Sequence, residues 1–154
     1  MYDRIGAANE KLGRFGESLL RREEGLKAIK GFVENDESGF DWQYKLVWQK
    51  IRIAILKKEH QDISQYASEL ERKGERGAFY DASCAYSLSV KVLFEKGQDD
   101  LATKQRSKAI QCLGAAISAG YSNFEHMKQD SDLDSIRNSE EFRKLIKSVE
   151  SENQ

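Results

Sequence analysis

Apolar positions recur along the chain at intervals of three and four, the spacing that puts side chains on one face of an α-helix. In residues 2–12, Tyr2, Ile5, Gly6, Asn9 and Leu12 share one side. The turn Gly13-Arg14-Phe15-Gly16 then reverses the chain, and Leu19, Arg22, Leu26 and Ile29 continue a second helix to about residue 30. So short a connection predicts antiparallel packing. Residues 41–58 carry apolar side chains on two faces, with Tyr44, Val47, Ile51, Ala54 and Ile55 on one and Trp42, Leu46, Ile53 and Leu56 on the other. That pattern predicts a helix with neighbours on both sides. Further helices are expected over 61–73, 78–95 and 101–119, followed by a polar interval. Asn138 as N-cap and Glu141 as its capping-box partner predict a last helix whose buried stripe is Phe142, Leu145, Ile146 and Val149. Glu150 to Gln154 should fray.

The chain has no proline, and a third of its residues are charged, so nothing interrupts the helical ladders and an all-α fold is expected. Leu, Ile, Val and Phe supply 35 of 154 residues, enough to build a core. The formal charge of -1 offers no field to attract nucleic acid or an anionic membrane, so neither is expected as a partner. No apolar run approaches the ~20 residues that span a bilayer, and the first residues do not resemble a secretory leader. A cytoplasmic location follows as an expectation. Two cysteines are too few for a disulfide framework.

The helices fall into pairs, roughly 2–30, 41–73 and 78–119. The segment YDRIGAANEKLGRFGESLLRREEGLKA resembles a tetratricopeptide repeat in the spacing of Tyr2, Ile5, Gly6, Gly13, Phe15, Ser18 and Gly25. Tyr2 and Ile5 would fill the space between helices, and Gly6, Ser18 and Gly25 would stand where the second helix crosses closely. Asn9 and Arg22 replace the aromatics usual there, and the proline usual after the second helix is missing. In FYDASCAYSLS, Phe79, Ala82, Ser83 and Tyr86 repeat the offsets, with Ala109, Leu113 and Ala116 on the partner helix. The resemblance implies a right-handed superhelix of about three antiparallel helix pairs, forming one repeat domain over 1–149 with a capping segment over 123–149.

The last 75 or so residues are similar to the C-terminal repeat portion of planctomycete-type bacterial serine/threonine protein kinases. The shared pattern is Ala119-Gly120-Tyr121, then Asp130, Asp132, Leu133, Asp134 and Arg137, then Phe142, Leu145 and Ile146. A stack of helix pairs leaves an apolar end that a polar-backed segment must cover, so structural capping is expected here rather than an acidic metal site. Asp132 and Asp134 suit the first turn of a short helix starting at Ser131.

Catalytic machinery is missing from the sequence. It has no phosphate-cradling glycine loop, no His-Glu-x-x-His and no Gly-x-Ser-x-Gly, and none of the kinase motifs. His60 and His126 stand in expected turns, apart from other ligand-type residues. Cys112 reads as a buried small hydrophobe, while the repeat register turns Cys84 toward the concave side. The mixed charge runs Arg21 to Glu24 and Glu69 to Arg76 suit solvated helix surface. No enzyme activity, cofactor or metal is expected.

Helical solenoids bind partners on the concave wall formed by the first helix of each pair. The repeat register makes Asp3, Ala7 and Glu10 groove candidates in the first pair and Tyr80, Cys84 and Ser87 in the third. In the middle helix Lys45, Trp48 and Arg52 share a face, with Trp48 equally suited to the core. The expected function is binding of a protein or peptide, as an adaptor or regulatory region. The alternative is a structural unit whose apolar surface from Met1 to Phe15 stacks on upstream repeats or on a second copy.

Overall fold

The computed structural model describes residues 2–35 and 42–152, with side chains over 5–33 and 42–151. Helices joined by short turns make up these residues, with no strand among them. The chain divides into two compact units, Met1–Tyr66 and Ala67–Gln154.

The first unit contains α1 (Tyr2–Lys11), α2 (Phe15–Asn35) and α3 (Trp42–Lys57), with α4 (His60–Glu71) running across the boundary. The turn after α1 closes on Gly13, whose φ of 72° lies in the left-handed region that only glycine enters freely. The hairpin forms as the spacing predicts, and α2 also packs on α3. The seam of the hairpin is polar. Gly6, Asn9, Ser18, Arg22 and Gly25 are buried there, whereas Ile5, expected to fill the space, stays 39% exposed. Arg22 takes that space instead. Its aliphatic stem crosses over Gly6, where an added Cβ would stand 3.0 Å from Arg22 Cγ. The Arg22 Nε donates to Glu10 Oε1 at 2.6 Å, Ser18 Oγ donates to the same oxygen at 2.9 Å, and Arg22 Nη1 reaches Gln49 Oε1 of α3. A guanidinium buried to 2% exposure is tolerated because its charge and several of its donors are met. α3 buries Leu46 and Ile53 as well as Val47, Ile51 and Ala54, the two-faced pattern expected of it.

The second unit is organised around α5 (Arg76–Glu95), nearly all of whose middle is buried, and its antiparallel partner α6 (Asp99–Ser118). Ala82, Ser83 and Tyr86 meet Ala109, Leu113 and Ala116, every one of them fully buried, and Ser83 Oγ donates to the Ala109 carbonyl across the seam at 2.8 Å. Small side chains on both helices permit this close crossing. After the turn at Gly120 come α7 (Phe124–Gln129), a 3-10 turn (Ser131–Leu133), α8 (Asp134–Arg137) and α9 (Glu140–Glu152). The 3-10 turn and α8 pack on α5, and α9 packs on α6 and α8.

Several local expectations shift. The polar interval after α6 contains a helix, α7, which takes in His126, and His60 opens α4 rather than lying in a turn. The last helix begins one residue later than expected: Ser139 Oγ, not Asn138, accepts the capping bond, from the Phe142 N–H. The buried stripe of that helix includes Phe142, Ile146 and Val149, with Leu145 partly covered. The helix runs on to Glu152, into the stretch where fraying is expected; the last two residues lie outside the described ones.

Candidate functional site

The three groups of groove candidates meet different fates. In the first pair, Glu10 is committed to Arg22 and Ser18, Ala7 is half-buried, and the side chain of Asp3 lies outside the described residues. Glu10 therefore holds the hairpin together and does not face a groove as a free carboxylate.

Tyr80, Cys84 and Ser87 are 5%, 2% and 0% exposed, so they do not line an open wall. The residues that cover this part of α5 come from the chain's own C-terminal segment. Tyr80 is stacked on Tyr121, with ring centroids 4.3 Å apart and planes 4° from parallel, and its hydroxyl donates to Asp130 Oδ2 at 2.8 Å. The Cys84 thiol approaches the same oxygen at 3.7 Å, and His126 Nε2 lies 3.4 Å from it. Asp130 Oδ1 meanwhile caps the 3-10 turn by accepting from the Asp132 N–H, and Arg137 donates to the Asp130 carbonyl. One aspartate thus ties the turn, α7, α8 and α5 together. Ser87 Oγ is buried without a hydrogen-bond partner among the described residues.

Electrostatics in this cluster follow from burial. Burial first, then Cys84 and the Asp130 carboxylate, push the Tyr80 phenol far above its usual range, so it stays a neutral donor. Burial, then the Asp130 and Asp132 carboxylates, push Asp81 up to about 7. On α6, burial and then Glu71 raise the Cys112 thiol to about 12, in keeping with the inert small hydrophobe expected there. Neither cysteine is in a disulfide. No group of three or more His, Cys, Asp or Glu side chains among the described residues could hold a metal ion.

α3 presents the third group at its surface. Lys45 is exposed, Trp48 and Arg52 are half-exposed, and the Arg52 guanidinium lies 4.7 Å from the centre of the Trp48 ring. A cation held over an indole face at i,i+4 is a defined pair at the surface of a rigid helix. It combines a flat apolar face with forked donors, the chemistry over-represented at the centres of protein interfaces.

Sequence reasoning missed Asp130 as the partner of Tyr80, since nothing in the local pattern relates residues fifty positions apart. It also left the buried role of Arg22 unread, although an arginine in the stripe Leu19, Arg22, Leu26 and Ile29 opposite a glycine was a usable signal.

No protein-family model matches the chain, and no curated protein or solved structure matches it at a significant level. No helix among the described residues is long and apolar enough to cross a membrane.

Proposed function

We propose that the chain is a tetratricopeptide-like, non-catalytic module that binds a protein or peptide, as an adaptor or regulatory region of a cytoplasmic bacterial signalling protein. The contact is made through α3. The observation that carries this reading is the Arg52–Trp48 pair, a half-exposed aromatic and cation set on a helix whose other faces are buried. The face of α5 is already filled by Tyr121 and Asp130, which leaves α3 as the place where the anchoring residue types remain within reach.

Affinity capture with the wild-type chain beside a Trp48→Ala, Arg52→Ala variant tests it. The reading expects a protein retained only by the wild type, which rebinds in purified form with an affinity at least tenfold higher than for the variant. Equal retention by both would remove α3 from the function.

A second reading is supported by Ile5, Leu12, Phe15 and Leu20, which are 39–66% exposed on α1, α2 and their turn. Apolar side chains outside a polar seam suit a hairpin that stacks on another hairpin. This reading expects concentration-dependent self-association in sedimentation, lost in a Leu12→Gln, Phe15→Gln variant.

A further inference from the structure

A cleft of about 370 Å³ opens at the C-terminal end of the second unit, between α7, α8 and α9. Its floor is Phe142 and Ile146, and around it stand four cationic side chains, Lys128, Arg137, Arg143 and Lys147. Glu150 also lines the cleft.

The four cations are not equivalent. Lys128 is paired with Glu125 and Glu150, and Arg137 with Asp134. Arg137 Nε, however, is buried without an acceptor among the described residues. Arg143 and Lys147 are exposed, one turn apart on α9, and neither has an acidic partner among the described residues. Side chains four apart on a helix sit about 5–6 Å from each other, so these two present a pair of donors over an apolar floor.

We propose that this cleft is a docking site for a short acidic segment of another protein, one apolar side chain entering over Phe142 and Ile146 while flanking carboxylates meet Arg143 and Lys147. The argument is charge complementarity joined to size. The volume lies near the lower end for ligand sites and suits one large side chain, not a whole helix. An apolar floor gives nothing to a bare phosphate, and Glu150 in the lining, with Glu125 and Asp134 paired to Lys128 and Arg137, opposes a continuous anionic surface such as a membrane. A short peptide meets the cations and avoids those carboxylates. The site is built wholly from the second unit and is independent of the Trp48–Arg52 surface.

The test uses the full chain and a fluorescein-labelled peptide, Asp-Glu-Phe-Asp-Glu, read by anisotropy at low and moderate salt. Controls are the peptide with Asn and Gln for its acids, the peptide with Gly for Phe, and vesicles of phosphatidylserine and phosphatidylcholine. Expected is saturable binding, weakened at least tenfold by Arg143→Glu with Lys147→Glu, less by the Gln pair, and weakened for both control peptides. Because both side chains are exposed, circular dichroism should show unchanged folding in each variant. No saturable binding, binding indifferent to the two cations, or binding as tight to the Gly peptide would overturn the proposal. So would vesicle binding stronger than peptide binding and lost in the same variants, which would assign the cations to a lipid surface.

Discussion

The Tyr80 hydroxyl donates to the Asp130 carboxylate at 2.8 Å, joining α5 to the C-terminal segment of the chain. Hydrogen bonds to charged acceptors contribute about 1.5–3 kcal/mol when buried. Tyr80→Phe keeps the ring stack on Tyr121 and removes the hydroxyl, with its bond to Asp130 and its hydrogen bond with the Tyr121 side chain. It should lower stability by about 2 kcal/mol in urea denaturation, with hydrogen exchange accelerated over residues 121–137. Unchanged stability would mean that Asp130 does not pin the segment.

Gly6 and Arg22 make a second relationship open to test. A Leu at position 6 must displace the Arg22 stem from the α1–α2 seam, and should cost about 1–3 kcal/mol by overpacking. Gly31 is the matched control, since a Cβ there meets nothing within 4 Å. Gly31→Ala should be neutral or stabilising by up to about 1 kcal/mol, through the loss of glycine's excess freedom in the unfolded chain. Equal melting temperatures for Gly6→Leu and the wild type would refute the close crossing.

The carboxyl of Asp81 gives a pH dependence of unusual sign. With its pKa raised from 3.8 to about 7, it holds a proton in the folded state across a range where the unfolded chain has released it. The folded state therefore binds more protons between about pH 4 and 7. Its contribution to stability is full below pH 4 and is lost as pH rises through 7. The wild type should lose stability between about pH 4 and 7 relative to Asp81→Asn, which cannot ionise there. Parallel curves for the two proteins would show that Asp81 does not titrate near neutrality.

The helices were legible in the sequence because their evidence is local. The apolar stripes of α3 and α9, the small residues Ala82, Ser83, Ala109 and Ala116 at the α5–α6 crossing, and Gly13 in the first turn each announce themselves within a few residues. The candidate site was legible only in part. Lys45, Trp48 and Arg52 lie on a half-exposed or exposed face as their spacing predicts, whereas Tyr80, Cys84 and Ser87 are interior. Spacing fixes which residues share a face of α5; it carries no information about what covers that face. Here the cover is the segment around Asp130, expected to cap the stack, and its carboxylate turns inward onto the Tyr80 hydroxyl. The same limit explains Arg22: a helix stripe records which positions are buried, and a charged side chain enters one only where a distant residue such as Glu10 meets it.

Hydrogen exchange on the full chain, alone and with the protein that the wild type retains and the Trp48→Ala, Arg52→Ala variant does not, reads the α3 contact itself. Binding through α3 predicts new protection over residues 42–57 and none over 76–95. Protection confined to 76–95, or the absence of any protein retained through Trp48 and Arg52, would contradict it.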